Sequence, residues 1–260
     1  MKNIEIKQIQ HDIKIGDECG NIKPNITDDC ILIENGQKVG FFLRQMPENM
    51  CKIADLCDYE LRSKNVPKSQ MKRSSGLHSK ENEVLQYSTI IGSVPPKPHM
   101  RRVYPTISSV HQVKTARTFI KGMLKLANES EKLIQKYMPE QYESIKKTFD
   151  EHVDEKWKFG KIFTSSISNF NINANFHIDK GNIPNTLNVI ISKRKNSTGG
   201  NLNVPDYGAT FDQKDNSILV YPAWRNVHGV TPIIPKFEGG YRNTLVFYPL
   251  KAFINKESKK

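Results

Sequence analysis

Two histidines and one aspartate in the second half of the chain have the residue types and the spacing of metal ligands. His177 and Asp179 are separated by a single residue, at the end of residues 172–179, which have a strand-like pattern. Because residues i and i+2 of a strand point to the same side, both side chains are expected to reach one ion. His228 follows a long strand-rich stretch and is expected to begin another strand and supply the third ligand. Two imidazoles and one carboxylate on one face of a divalent metal are typical of non-haem ferrous sites with open coordination positions.

A second His-x-Asp pair shows that the spacing alone is weak evidence. His152 and Asp154 have the same separation, but they follow a helical pattern of apolar residues at Tyr142, Ile145 and Phe149. Positions i and i+2 of a helix diverge by about 200°, so this pair cannot chelate one ion. We interpret His152 as a solvated helix residue.

An arginine near the end of the strand-rich region is a candidate anchor for an organic acid. Arg242 begins residues 242–248, which have a strand pattern, and Thr244 lies on the same face. A guanidinium is a planar fork that pairs bidentately with a carboxylate, which suits the distal carboxylate of 2-oxoglutarate. Asn188 lies with Ile190 on one face of the predicted strand 186–192. We interpret Asn188 as a candidate lining residue of the cosubstrate pocket, with a structural asparagine as the alternative.

These residues together resemble a known family signature. The motif His177-x-Asp179, with His228 and Arg242, resembles that of the Fe(II)/2-oxoglutarate-dependent dioxygenases. Residues 199–208 and 228–232 further resemble the branch that contains the thymine hydroxylases of base J synthesis and the ten-eleven-translocation methylcytosine dioxygenases. The resemblance covers roughly residues 160–250, and no family signature precedes it.

The resemblance implies a fold, two cofactors and a reaction. The implied fold class is α+β, with a double-stranded β-helix (jelly-roll, cupin-like) core buttressed by N-terminal helices. His177, Asp179 and His228 would bind Fe(II), while Arg242, assisted by Thr244, would bind 2-oxoglutarate. The implied reaction releases succinate and CO2 and hydroxylates a C–H bond. Hydroxylation is expected because related halogenases lack the carboxylate that Asp179 supplies.

The substrate implied by the branch is the 5-methyl group of thymine or 5-methylcytosine in DNA. A base inside a duplex is out of reach, so it would have to be flipped or single-stranded. Phe170, Tyr207 and Trp224 are candidate stacking residues, although each fits a core position better.

Three alternatives remain open at this stage. A protein hydroxylase of the prolyl or lysyl type would keep the same four residues. A small-molecule or free-nucleotide oxygenase would do so too, but its turnover would be insensitive to salt. A non-enzymatic jelly-roll module with a structural metal would have no affinity for 2-oxoglutarate.

The remaining patterns predict the elements that position these residues. A β-hairpin is predicted around Asn35-Gly36, after short strands near Ile4 and Ile13–Ile15, and a helix is predicted to follow Pro47. Amphipathic helices are predicted over residues 113–127, near residues 133–137 and from Pro139. From residue 157 the pattern is β-rich, and the predicted strands are 162–167, 172–177, 186–192, 201–204, 217–221, 227–233 and 242–248. We expect residues 1–155 to form N-terminal strands and supporting helices, packed on a jelly-roll core of residues 156–255 as one compact domain.

Charge favours a polyanionic partner. The net charge is +12 and the pI is about 9.4, and phosphate neutralisation supplies much of the affinity of proteins for nucleic acid. Three basic stretches, residues 62–80, 97–102 and 193–195, are candidate DNA contacts, with solvated loops as the alternative.

Composition limits where the protein works. The chain of 260 residues has a mean hydropathy of -0.57, no apolar run long enough for a membrane span and no apolar signal core at its start. Its four cysteines have neither a Cys-x-x-Cys spacing nor a zinc spacing, so reduced thiols are expected. We expect an intracellular location, cytoplasmic or, for a viral protein, in the host cell or its nucleus. Composition and spacing do not specify an oligomeric state.

Overall fold

The structure, a computed structural model, describes residues 1–70, 85–100 and 102–255. A large sheet dominates this part of the chain and contains ten of its strands. Apart from the parallel pair β1–β2, its strands run antiparallel. In spatial order they are β1 (Lys2–Glu5), β2 (Cys30–Glu34), β3 (Gln37–Leu43), β13 (Ser217–Tyr221), β9 (Asn188–Lys195), β16 (Tyr241–Tyr248), β7 (Ser165–Phe170), β5 (Tyr87–Val94) and β4 (Ser69–Gln70), with β6 (Thr106–Ile107) beside β5.

A smaller antiparallel sheet faces the large one. It has the order β12 (Ala209–Phe211), β11 (Leu202–Val204), β14 (His228–Val230) and β8 (Ala174–His177), and β10 (Ser197–Gly199) pairs separately with β15 (Ile233–Pro235). An apolar cluster joins the two sheets, in which Leu219 of β13 and Ile190 of β9 pack with Leu202 and Phe211 of the small sheet. The prediction of an α+β fold with large antiparallel sheets is confirmed.

Three helices form a further layer on the other face of the large sheet. They are α1 (Glu48–Arg62), α2 (Arg117–Tyr137) and α3 (Pro139–His152). Their buried residues, among them Phe119 and Met123 of α2, share one core with Leu245 and Phe247 of β16. Because side chains alternate along a strand, the residues between these on β16 point to the small sheet. Short 3-10 turns occur at Pro98–Met100, Ser109–Gln112, Lys114–Ala116, Glu155–Trp157, Pro205–Tyr207 and Lys251–Phe253.

A buried carboxylate on α1 links the helix layer to the large sheet. Asp58 accepts hydrogen bonds from the hydroxyl of Tyr241 (2.7 Å) and from the amide of Asn243 (3.0 Å), which are two residues of β16. It also accepts from Nε of Arg62 at 3.0 Å, one helical turn away. Asp58 therefore fixes the start of β16 from the helix side.

Several local predictions are confirmed, and some boundaries are wrong. The hairpin β2–β3 turns at Asn35 and Gly36, which both have positive φ, and α1 begins directly after Pro47. The helices predicted near residues 113–127 and 133–137 are one helix, α2, because its buried stripe continues through Leu126, Leu133 and Ile134. Residues 13–15 form no strand. The strand predicted at 162–167 begins instead at residue 165. The apolar residues Ile162 and Phe163 precede the strand and are buried in the helix-side core.

The basic stretch at residues 193–195 was predicted as an exposed loop, and this prediction is wrong. All three residues belong to β9, which continues to Lys195. The Lys193 side chain is buried and pairs with Asp55 of α1 (2.6 Å) and with Asp215 (2.9 Å). The Arg194 side chain is partly buried and donates to the carbonyl of Gly199 at 2.6 Å. Lys193 and Arg194 therefore serve the protein's own packing, and Lys195 is the exposed cation of this stretch.

The other basic stretches are only partly described. Residues 71–80 of the predicted loop 62–80 and Arg101 of the stretch 97–102 lie outside the described residues. No helix of the described ranges is both long and apolar enough to cross a membrane.

Candidate active site

Two neighbouring strands of the small sheet bring the predicted histidines together. His177 ends β8 and His228 begins β14, and the two residues are directly paired across the antiparallel ladder. Their ring centroids lie 4.2 Å apart. The predicted strand 172–179 ends at His177, because the chain turns there: the backbone N–H of Asp179 donates to the carbonyl of Ala223, and that of Asn182 donates to the carbonyl of Asp179. The turn still directs Asp179 to the histidines.

Backbone carbonyls fix which nitrogen of each imidazole faces the site. Nδ1 of His177 lies 2.7 Å from the carbonyl of Asn175, and Nδ1 of His228 lies 2.9 Å from that of Asn226. Since a carbonyl can only accept, each Nδ1 carries the proton and each Nε2 keeps a free lone pair. Burial, and then the neighbouring His177, lower the pKa of His228 to about 4, so this imidazole is neutral at neutral pH, as a metal ligand must be.

The carboxylate of Asp179 is held through one oxygen and free at the other. Its Oδ2 accepts from the amide of Asn188 at 2.9 Å, and the carbonyl oxygen of that amide accepts from Asn182 at 2.7 Å. Its Oδ1 lies 3.7 Å from Nε2 of His177. Ligand atoms of His177, Asp179 and His228 all lie within 4.8 Å of one another. This donor set fits one divalent ion bound by two imidazoles and one carboxylate oxygen.

Arg242 is a buried cation with unused hydrogen-bonding capacity. Its Nη2 donates to the side-chain oxygen of Gln213 at 2.9 Å, and its Nε has no partner within the described residues. Burial, and then the nearby Arg194, lower the pKa of Arg242 to about 9. A guanidinium in this environment is stabilised by any carboxylate that reaches it. These properties fit the distal carboxylate of 2-oxoglutarate.

A glycine makes room for this arginine. Gly200 has φ +63°, and a Cβ on it would lie 2.3 Å from Cδ of Arg242. Only a glycine accommodates this close approach without displacing the arginine. Gly200 therefore has a steric role beside Arg242.

One cavity of about 460 Å³ contains all of these groups. It lies between the two sheets, since its walls come from β7, β9, β13 and β16 on one side and from β8, β11 and β14 on the other. The six predicted site residues, His177, Asp179, His228, Arg242, Thr244 and Asn188, all line it. Aliphatic and aromatic side chains complete the wall, including Ile190, Val246, Tyr221, Tyr248 and Leu250.

The predicted stacking residues lie elsewhere. Phe170 is stacked between Tyr87 (4.5 Å between centroids) and Tyr241 (5.3 Å), and the hydroxyl of Tyr207 accepts from the amide of Asn226 at 2.7 Å. Neither these two residues nor Trp224 contribute to the cavity wall. Sequence reasoning missed Gln213 and Asn182, which support Arg242 and Asn188, and no local pattern marks either residue.

The second His-x-Asp pair behaves as predicted. His152 is the last residue of α3, and Asp154 lies beyond the helix end, so the two do not share a strand face. Among the described residues, the one cluster of three potential metal ligands is the group His177, Asp179 and His228.

Comparison with known families identifies the class. A family profile described as the oxygenase domain of the 2OGFeDO superfamily (Tet_JBP) matches residues 95–251. The chain belongs to this family. It is therefore a dioxygenase of a superfamily that uses Fe(II) and 2-oxoglutarate, and the resemblance noted in the sequence is confirmed.

The solved structures that the chain resembles are distant from it in sequence. NgTET1 in complex with 5mC DNA has a TM-score of 0.61 and 12% identity, over 93% of this chain and 84% of the other. A 2OG-Fe(II) oxygenase family oxidoreductase from Burkholderia pseudomallei has a TM-score of 0.45 and 14% identity, over 80% of this chain and 84% of the other. At 12% identity, the likeness to NgTET1 concerns the fold alone. A search among curated proteins gave no significant match.

Proposed function

We propose that this dioxygenase hydroxylates the 5-methyl group of thymine or 5-methylcytosine in DNA. The observation that carries the proposal is the cavity itself, in a chain of the Tet_JBP family: the His-Asp-His cluster and Arg242 line one space between two sheets. Support for DNA as the substrate comes from the net charge of +12 and from the similar fold of NgTET1, which was solved with 5mC DNA.

Each site residue has a proposed role. His177, Asp179 and His228 would hold Fe(II), and Arg242 with Thr244 would hold the distal carboxylate of 2-oxoglutarate. Asn188 was predicted to contact the cosubstrate, but its amide donates to Asp179. We therefore assign it to positioning that carboxylate.

The chain's own residues prepare the reaction in four ways. The carbonyls of Asn175 and Asn226 hold the Nδ1 protons, so both imidazoles present a lone pair. The bond from Asn188 leaves one oxygen of Asp179 for the metal. Arg242 orients a carboxylate in a buried site where charge pairing is strong. When bound, Fe(II) and 2-oxoglutarate would activate dioxygen, which is the oxidant: one oxygen atom would enter succinate, formed with CO2, and the other would enter the hydroxylated methyl group. The apolar wall formed by Val246 and Leu250 limits water around a methyl group.

Three broader expectations become proposals on this basis. We propose that the two facing sheets are a double-stranded β-helix, buttressed by the helices α1, α2 and α3. We propose that residues 1–155 and 156–255 form one compact domain, because β2, β3 and β5 lie in the same sheet as β9 and β16. A DNA substrate also implies that the protein works inside a cell.

Nucleoside mass spectrometry tests the substrate directly. DNA containing thymine and 5-methylcytosine is incubated with the protein, Fe(II), 2-oxoglutarate and ascorbate, and His228→Ala serves as the control. New hydroxymethylated nucleosides that are missing in the control are expected. Succinate release with unchanged DNA would reject the DNA-base proposal and direct the search to proteins or small molecules.

A further inference from the structure

A long segment of the chain contains cations but no acids. Residues 84–128 include no Asp or Glu, whereas their Lys and Arg residues are Lys97, Arg101, Arg102, Lys114, Arg117, Lys121 and Lys125. Lysines elsewhere commonly pair with a nearby acid, as Lys52 does with Glu48 and Lys132 with Glu129. The excess positive charge is therefore concentrated in the part of the chain that begins at β5.

Within this segment, one loop reaches the mouth of the cavity. Residues 95–100 and 102–105, here called the rim loop, follow the end of β5, and Lys97 and Arg102 exchange backbone hydrogen bonds (2.6 and 3.2 Å). Nε of Arg102 donates to the carbonyl of Pro95 at 2.7 Å, which fixes the base of the loop. These hydrogen bonds all join residues within the rim loop.

Lys97 is the residue of the rim loop that lines the cavity. It lines the same cavity as His177, Asp179 and Arg242, and it makes no ion pair within the described residues. Arg242 is buried inside the cavity and donates one hydrogen bond to Gln213, whereas Lys97 is exposed. Of these two cations, only Lys97 can meet a group that stays outside the cavity.

The rim loop also exposes an aromatic ring. Tyr104 is 76% exposed and its neighbour Val103 is 58% exposed. An unpaired cation and an exposed aromatic side chain on one loop are a combination that proteins use for single-stranded nucleic acid, in which one group meets phosphate and the other stacks on a base.

We propose that the rim loop holds the polynucleotide strand next to the reacting nucleotide, with Lys97 on a backbone phosphate and Tyr104 stacked on a neighbouring base. This inference rests on the proposed DNA substrate. It assigns strand binding to the rim loop and separates it from Arg242, which binds the cosubstrate.

The first test measures binding of a short fluorescent single-stranded oligonucleotide by the full chain at several salt concentrations. Lys97→Gln is expected to raise the Kd about five-fold and to lower the slope of log Kd against log salt by about 0.7, the value for one lost phosphate contact. The affinity for 2-oxoglutarate, measured with Mn(II) by thermal shift, is expected to stay unchanged. Lys121→Gln is the matched control, since it removes the same charge from α2, a helix on the opposite face of the large sheet.

The second test uses the aromatic ring. Tyr104→Ala is expected to raise the KM for the oligonucleotide several-fold, while Tyr104→Phe keeps the wild-type KM because stacking needs only the ring. Tyr59→Ala removes a similarly exposed ring, 62% exposed, from α1 and is expected to have no effect.

The outcomes separate this inference from the proposed function. If the wild-type protein oxidises DNA and both Lys97→Gln and Tyr104→Ala behave like wild type, the rim-loop assignment is wrong and the DNA substrate stands. An equal loss of binding in Lys121→Gln would also overturn it, because binding would then depend on the overall positive charge and not on a contact made by the rim loop. If the wild-type protein neither binds nor oxidises DNA, both proposals fail together.

Discussion

At the scale of single residues, each candidate ligand depends on a second group that orients it. The amide of Asn188 holds one oxygen of Asp179, and Asn182 holds Asn188 in turn. Such outer partners commonly account for a 10–100-fold change in metal affinity. The metal site is therefore built from five side chains, of which three would touch the ion.

The first prediction concerns Asn188. Asn188→Ala is expected to weaken Mn(II) binding about 10–100-fold, because Asp179 loses the bond that directs its free oxygen to the histidines. Metal titration followed by thermal shift measures the effect, and circular dichroism checks the fold. Asn169→Ala removes an amide from the same cavity and leaves the bond to Asp179 intact, so it is the control. Equal metal affinities in the two variants would contradict the role of Asn188.

The second prediction concerns Gly200. Gly200→Ala is expected to weaken 2-oxoglutarate binding, because its Cβ would lie 2.3 Å from Cδ of Arg242 and displace the guanidinium. Gly36→Ala is the matched control: Gly36 also has positive φ, but the space around it is open. Both changes should cost about 1 kcal/mol of stability through backbone strain, and only Gly200→Ala should change ligand binding. Isothermal titration calorimetry measures the affinity of each variant for 2-oxoglutarate. Equal affinities in the two variants would reject the steric role of Gly200.

The sequence was most informative about groups whose chemistry depends on spacing. His177, Asp179, His228 and Arg242 were predictable because strand periodicity and ligand type both restrict them. The role of Gln213 was not predictable, because its contact with Arg242 joins residues far apart in sequence and no sequence pattern indicates it. Phe170 was a candidate stacking residue that fits a core position better, and it packs between Tyr87 and Tyr241 in the core.

At the scale of elements, β9 shows where local pattern and tertiary structure diverge. Charged residues at 193–195 suggested a loop, yet the strand continues because Asp55 of α1 and Asp215 neutralise Lys193. Buried charges are tolerated when they are paired and hydrogen-bonded. The paired acids come from elsewhere in the chain, so a reading of the strand alone could not reveal them. Helix α2 is one element where two were predicted, because its buried stripe continues from Leu126 to Leu133.

The third prediction tests the joint between α1 and β16. Asp58→Ala is expected to lower the free energy of unfolding by about 3 kcal/mol, because Tyr241, Asn243 and Arg62 lose a buried acceptor. Affinity for 2-oxoglutarate should fall too, since Tyr241 and Asn243 flank Arg242 in β16. Urea unfolding and ligand titration measure the two effects.

An exposed acid on the same helix provides the comparison for Asp58. Glu48→Ala breaks a solvent-exposed pair with Lys52, and such pairs contribute about 0–1 kcal/mol. It should leave both stability and ligand binding nearly unchanged. If Asp58→Ala were no more damaging than Glu48→Ala, the buried network would have no role in supporting the strand that carries Arg242.

At the scale of the whole molecule, the large sheet joins both halves of the chain. Strand β13 pairs with β3 on one side and β9 on the other, and β7 pairs with β5 as well as β16. The helix-side core likewise mixes Phe119 of α2 with Leu245 and Phe247 of β16. The strands that carry the candidate site are thus covered and flanked by residues that precede residue 156.

The fourth prediction follows from this arrangement. A fragment of residues 156–255 is expected to show no cooperative urea transition, because β13 and β7 would become unpaired edges and the apolar face of β16 would lose its helix cover. The full chain should unfold in a single transition with coincident fluorescence and circular dichroism curves. Removing only residues 1–5 is the control, since β1 is a short edge strand whose loss leaves the sheet covered. A fragment that folds cooperatively and binds 2-oxoglutarate would show that the catalytic core is an independent domain, and the single-domain proposal would then be wrong.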